Sequence, residues 1–238
     1  MLEERKESSM KNVIWQRRDS LALLVIPLEL TLGWLANKTS LDDAPYLAAV
    51  VPFALKFLSV ALMLFLFHDL FRTDWKLYKQ HLWQKLLFSA AGVAVVYFLL
   101  ASARWLTGHV QSFASSMDSI TGGLPYGLYL LASASPLLAP ITEETVFRHV
   151  LFYRWKDSPP LRVVSCLVSA ILFGAVHLNN FGGNLLATVP YMVIGLYYNL
   201  LYYFTKNIWT TTVIHLIFNF IQSLLPALLI PLLLAINS

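Results

Sequence analysis

The chain has little charge, and its distribution excludes more than its amount. Only 13% of the 238 residues are Asp, Glu, Lys or Arg, against roughly 25% in soluble domains. None occurs from Val163 to Thr205 or from Asn207 to Ser238, so Lys206 is the single formal charge from Val163 onward. Helices made from such segments have no polar face to solvate. A soluble enzyme, a disordered chain and a nucleic-acid binder are excluded. Cysteine is nearly absent too: Cys166 stands alone in an apolar run, so no intramolecular disulfide forms. Internal repeats, low-complexity tracts and long linkers are also missing. The first 19 residues are polar and of mixed charge, without the short apolar core and small-residue cleavage site of a leader peptide. Segment 1–19 is therefore expected to stay on the cytoplasmic side, with the first span as a signal anchor.

What is there is hydrophobic: 58% of residues, with a mean hydropathy of +0.63. A span needs about 20 mostly apolar residues. Candidates run over 20–37, 46–71, 86–106, 124–155 (interrupted by Pro136 and Pro140), 161–178, 185–204 and from 208 onward. Pro226 and Pro231 are expected to separate a short eighth helix from the seventh. The fold class is all-α, a polytopic transmembrane helix bundle of seven or eight spans. Arg5, Lys6, Lys11, Arg17 and Arg18 precede the first span, and Arg72, Lys76, Lys79 and Lys85 follow the second. Arg154, Lys156 and Arg162 follow the fourth, and Lys206 the sixth. The alternate connections carry only Lys38 or no cation, so the positive-inside rule places the N-terminus in the cytoplasm. All seven tryptophans fall near predicted helix ends, where an indole is stable at headgroup level.

Ionisable groups inside a bilayer are costly, and each is a functional candidate until a partner explains it. The fourth segment carries Glu143, Glu144 and Arg148. Adjacent residues of a helix point about 100° apart, so the two acids serve different purposes. Glu144 and Arg148, four apart with the acid first, suit a helical ion pair. Glu143 is then left without a local counter-ion and suits a general base acting on water. Phe173 and His177 share a helix face, as do His215 and Asn219. With Thr212 and Gln222, the latter pair forms a polar stripe that must face the bundle interior or a water-filled cavity. Together these groups suit water activation with oxyanion stabilisation, or a metal held by Glu143, His177 and His215 with an open fourth position. Glu29 and Lys56, both near mid-bilayer, are expected to form a structural ion pair. Tyr197, Tyr198, Tyr202 and Tyr203 are expected to be packing and interfacial residues rather than a substrate groove, and 179–184 a tight loop beside His177.

Glu143-Glu144-x-x-x-Arg148, Phe173-x-x-x-His177 and His215-x-x-x-Asn219, in this order on separate spans, resemble the CAAX prenyl endopeptidase and bacteriocin-processing (CPBP, or Abi) family of intramembrane proteases. One departure is His149, where that family commonly has glycine. The resemblance covers roughly residues 136–222, and the chain divides into the N-terminal segment 1–19, generic N-terminal transmembrane helices over 20–123, and an expected catalytic transmembrane core over 124–238. The resemblance implies peptide-bond hydrolysis in which Glu143 and His177 activate water and His215 and Asn219 hold the oxyanion. Glu144, Arg148 and Phe173 would support them. No cofactor is required by this scheme; a divalent metal such as Zn would use Glu143, His177 and His215. The implied partners are the lipid bilayer and a peptide or membrane-protein substrate, with the protein in a bacterial plasma membrane. The alternatives from other classes are a proton-coupled transporter and a non-catalytic membrane immunity or scaffold protein.

Overall fold

The computed structural model describes residues 15–40, 45–108 and 125–229, and these are helical almost throughout. Helix α1 (Arg17–Ser40) opens with the Asp19 carboxylate accepting the Gln16 N–H at 2.9 Å, the back-reaching half of a capping box. Next come α2 (Pro45–Leu66), α3 (His68–Lys79) and α4 (Leu82–Thr107). The second half holds α5 (Tyr126–Ala134), α6 (Ala139–Glu143), α7 (Pro159–Ala175), α8 (Leu185–Thr205) and α9 (Ile208–Asn219). Among the described residues, four stretches are long and apolar enough to cross a membrane: Ala49–Leu66, Leu82–Thr107, Leu185–Thr205 and Ile208–Leu229. Helix α7 is apolar but shorter, and the expected count of seven or eight spans exceeds what length and composition support.

Two boundaries differ from the sequence expectation. The second span ends at Leu66 rather than Phe71, and the basic stretch after it is the amphipathic helix α3. Phe71, Asp74 and Tyr78 are its buried side, at the three- and four-residue spacing of one helix face. Helix α3 is fastened to the start of α9. Asp74 Oδ2 accepts the Ile208 N–H at 2.7 Å, the Asp74 carbonyl accepts Asn207 Nδ2 at 2.8 Å, and Trp209 Nε1 donates to the Phe71 carbonyl. Pro226, expected to end the seventh helix, lies inside the continuous stretch Ile208–Leu229. Phe220–Leu224 is a π-helical turn in which Leu225 donates to Phe220 five residues back. That shift in register removes the call on an N–H that proline lacks. The helix expected beyond Pro231 lies outside the described residues.

Helices α7 and α8 form the tightest pair. A Cβ on Gly174 would lie 2.2 Å from Met192 Cγ and 3.1 Å from the Thr188 carbonyl; one on Gly195 would lie 3.1 Å from the Ala170 backbone. Small residues let two apolar helices approach this closely in a bilayer, where lipid offers no hydrophobic drive to associate. Asn199 Nδ2 donates to the Cys166 carbonyl at 2.8 Å, and Ser169 Oγ donates to the Phe147 carbonyl at 2.7 Å. These bonds join α7 and α8 to the segment that carries the acids.

Candidate active site

Between α5 and α7 the backbone departs from α geometry where the first motif lies. After α5 come a 3₁₀ turn (Ser135–Leu137), α6, and a π-helix over Glu144–Phe152. π-helical segments are rare and concentrate at functional sites. Pro140 lacks the N–H that would bond the Pro136 carbonyl four residues back. Asn219 of α9 supplies the missing donor, its Nδ2 bonding the Pro136 carbonyl at 2.8 Å. One turn further, Ser223 Oγ bonds the Ser133 carbonyl at 2.7 Å. The proline break thus becomes the joint that sets α9 against the acidic segment.

Glu144 and Arg148 are fully buried, with Arg148 Nε 3.2 Å from Glu144 Oε2. The guanidinium carbon lies 4.1 Å from the centre of the Phe173 ring, 5.1 Å from Tyr198 and 5.7 Å from Phe147. Its Nη atoms meet no hydrogen-bond acceptor among the described residues. Aromatic faces stand where oxygen ligands are absent, an arrangement whose attraction grows with desolvation. The expected ion pair is present, and Phe173 is its aromatic wall.

His215 lies between the two acids. Its Nδ1 is 2.9 Å from Glu144 Oε1, and its Nε2 is 3.7 Å from Glu143 Oε2. A carboxylate at that distance from Nδ1 makes Nδ1 the protonated nitrogen. Glu143 therefore does have a counterpart, supplied by α9 rather than by its own helix. His177 is oriented by its own helix: Nδ1 lies 2.9 Å from the Phe173 carbonyl, which can only accept. Nε2 is left as the free nitrogen of the neutral ring. The imidazole also stacks on Tyr191, with centroids 4.4 Å apart and planes 19° off parallel, while Phe173 meets it edge-on.

These side chains surround a cavity of about 500 Å³. Glu143, His177, His215, Asn219 and Phe173 all line it. So do groups from the first half of the chain: Glu29 of α1, Lys56 of α2 and Arg104 of α4. Lys56 Nζ is 3.4 Å from Glu29 Oε2, the ion pair expected from their depth, but the pair also forms part of the cavity wall. Tyr191 and Tyr198 line the cavity, and Arg104 bonds the Tyr191 hydroxyl. Of the four tyrosines weighed from sequence, Tyr202 binds His149 Nδ1 at 2.9 Å and Tyr203 accepts from Arg162 at 2.8 Å. His149, the departure from the family pattern, is thus held by Tyr202 and by the edge of Phe67. Tyr191 went unseen in the sequence; its only signal was a phenol on an apolar span facing the His177 turn.

Among the described residues no group of three His, Cys, Asp or Glu side chains is placed to hold an ion. Nδ1 of His215 is engaged by Glu144 and Nδ1 of His177 by the Phe173 carbonyl, which leaves Nε2 of each ring. Glu143, His177 and His215 present an acid and two imidazoles to a shared hollow.

Fold and site define a polytopic helical membrane protein with a glutamate–histidine centre inside its bundle. Residues 124–221 match the family model of the Rce1-like type II CAAX prenyl endopeptidases, a protease family. That stretch includes all three motifs and the whole second-half wall of the cavity up to Asn219. No curated protein and no solved structure matches the chain.

Proposed function

We propose that the protein is an intramembrane endopeptidase in which Glu143 and His177 activate the attacking water. The observation that carries this reading is convergence: Glu143, the free Nε2 of His177 and the Nε2 edge of His215 border one cavity inside the bundle. A water between Glu143 and His177 would give its proton to the carboxylate as its oxygen attacks the scissile carbonyl. His215, held at Nδ1 by Glu144, turns its Nε2 edge to the developing oxyanion. Asn219 has one amide hydrogen on the Pro136 carbonyl and a second to offer. Its first duty is to hold the joint, and oxyanion binding is added to that. Glu144 acts through His215, fixing the orientation of its ring. Arg148 neutralises Glu144 where no water reaches.

The matched family's name points to carboxyl-terminal tails bearing a prenylated cysteine, and such a tail is one substrate to test. An immunity role against bacteriocins is compatible with the same chemistry. Cleavage of a reporter segment in membranes containing wild type, Glu143→Gln, His177→Ala or His215→Ala tests the proposal. The expected result is loss of cleavage by ~10²–10⁴-fold at unchanged membrane expression. Full cleavage by a well-expressed Glu143→Gln protein would exclude the glutamate as base.

A further inference from the structure

His177 stands where α7 gives out, and its backbone alone does not hold its ring. The helix closes at Ala175, and the His177 N–H turns to the Gly174 carbonyl, three residues back, at 3.0 Å. The Phe173 carbonyl, four residues back, meets Nδ1 of the ring instead. His177 has the bridge-region backbone of a helix end, φ −90° and ψ 1°, and leads into the 3₁₀ turn Leu178–Phe181. One hydrogen bond fixes an atom of a ring but not the ring's plane. The plane is set by Tyr191 of α8, whose phenol lies face to face with the imidazole, centroids 4.4 Å apart and planes 19° off parallel. Phe173 adds its edge at 5.3 Å.

Tyr191 is itself held at two points. Phe181, at the close of the 3₁₀ turn, meets its ring with centroids 5.6 Å apart, and its hydroxyl accepts a hydrogen bond from Arg104 of α4. A Cβ on Gly92 of α4 would lie 3.3 Å from the Tyr197 hydroxyl, so α4 packs directly on α8. The pairings Gly92–Tyr197 and Arg104–Tyr191 run in opposite senses along the two helices, which are therefore antiparallel. Side chains lean toward the N-terminus of their own helix, so an arginine and a tyrosine on such a pair reach toward each other. Neither residue belongs to a motif, and Arg104 lies outside residues 124–221. We propose that Tyr191 and Arg104 are positioning residues for His177: the phenol sets the plane of the imidazole, and the guanidinium holds the phenol in place. The aim of Nε2 into the cavity then depends on α4, and the first half of the chain enters the reaction through that bond. Misplacing a reacting group by about 1 Å costs on the order of 10²-fold in rate. The effect on rate rests on the proteolytic reading above; the ordering of the ring does not.

Two measurements test the inference, one on the ring and one on the rate. In the purified full chain with isotope-labelled histidine, the His177 resonances are identified by their loss in His177→Gln. Imidazole protons stacked on a phenol are shifted upfield. That shift is expected in wild type and Tyr191→Phe, reduced in Arg104→Met, and absent in Tyr191→Leu, which keeps an apolar side chain but no ring. Equal shifts in wild type and Tyr191→Leu overturn the stack, and an unchanged shift in Arg104→Met overturns the role of Arg104. Tyr191→Met replaces Tyr191→Leu if the latter is not expressed. Hydrolysis of a reporter segment is then followed with the same proteins in liposomes. Tyr191→Leu should lose ~10–100-fold in kcat with KM within about threefold of wild type. Tyr191→Phe and Arg104→Met each remove one partner of the same bond. Each should lose about 3–10-fold in kcat, and the double variant no more than either alone. A rise in KM at unchanged kcat makes Tyr191 a substrate contact and overturns its positioning role. Losses that multiply in the double variant overturn the link between Arg104 and Tyr191. If wild type shows no hydrolysis that depends on Glu143, the proteolytic reading falls, and the His177 resonances alone decide whether Tyr191 and Arg104 order the ring.

Discussion

Two regions of the bundle, the end where the basic segments meet and the interior cavity, use similar residues to opposite effect. At the basic end, Asp19 meets Arg154, Asp74 meets the Ile208 amide, His149 meets Tyr202 and Arg162 meets Tyr203. These polar groups are spent on neighbours. In the interior cavity, Glu143, His177, His215, Glu29, Lys56 and Arg104 converge on an open volume of about 500 Å³. Several of these are also bonded, but each shows an edge to the hollow. Polar groups in a membrane bundle are thus not functional merely by being there. They become candidates for chemistry when the packing leaves space in front of them. Glu144 and Arg148 lie between the regimes, in the centre of the site yet as completely enclosed as any latch.

The largest effect expected from breaking that division falls on Arg148. Replacing it by Met leaves the Glu144 carboxylate buried without its cation, and a broken buried pair costs about 3–5 kcal/mol. Thermal unfolding in detergent is expected to drop sharply. The double variant Glu144→Leu/Arg148→Met removes both charges and should recover most of the stability. It should recover no activity, because His215 then has no Nδ1 partner. Recovery of activity along with stability would show that the acid–imidazole bond is only a latch.

The Glu29–Lys56 pair gives the next effect and tests the same division from the cavity side. Either single reversal, Glu29→Lys or Lys56→Glu, places like charges together near mid-bilayer, and membrane expression is expected to fall severalfold. The double reversal should restore expression, since the 3.4 Å contact is remade with opposite polarity. Activity should stay below about one-tenth of wild type, because the reversal moves a carboxylate to the Lys56 position on the wall shared with Glu143. If the double reversal restored full activity, the pair would belong with the latches of the basic end.

Spacing made the candidate residues legible and left the geometry obscure. Glu143, Glu144, Arg148, Phe173, His177, His215 and Asn219 stand out because charge is scarce and the four-residue intervals repeat on separate spans. The Glu29–Lys56 pairing was also legible, from depth alone. What composition does not encode is how the backbone bends between such residues. The π-helix over Glu144–Phe152 is a choice of hydrogen-bond register, and no residue type dictates it. The bond from Asn219 to the Pro136 carbonyl joins residues far apart in sequence, although Pro140 announces that some carbonyl must seek another donor. Arg104 and Tyr191 reach the cavity through tertiary packing, which no local pattern reveals. Helix α3 is the exception: its buried Phe71, Asp74 and Tyr78 follow a helical period that its many charges masked.

The smallest effect belongs to the basic end and depends on pH. Asp74 lies in α3, outside the membrane-spanning stretches. Burial pushes its carboxyl above the usual carboxylate range, and the bond from the Ile208 amide offsets part of that shift. The folded state then holds the Asp74 proton at a pH where the unfolded chain has released it. Stability from this group is accordingly greatest at or below the ordinary aspartate value and declines as pH rises through the folded value. Asp74→Asn keeps an oxygen for the Ile208 amide and removes the titration. Relative to wild type, it should become more stable as pH rises across that window and show no such gain below it. Asp74→Ala, which leaves the amide at the start of α9 without its acceptor, should lose ~0.5–2 kcal/mol at every pH, as a lost helix cap does. Unfolding midpoints of the three proteins from acid to neutral pH check both expectations. Cleavage rates per folded molecule should stay within twofold for both variants, because Asp74 does not border the cavity.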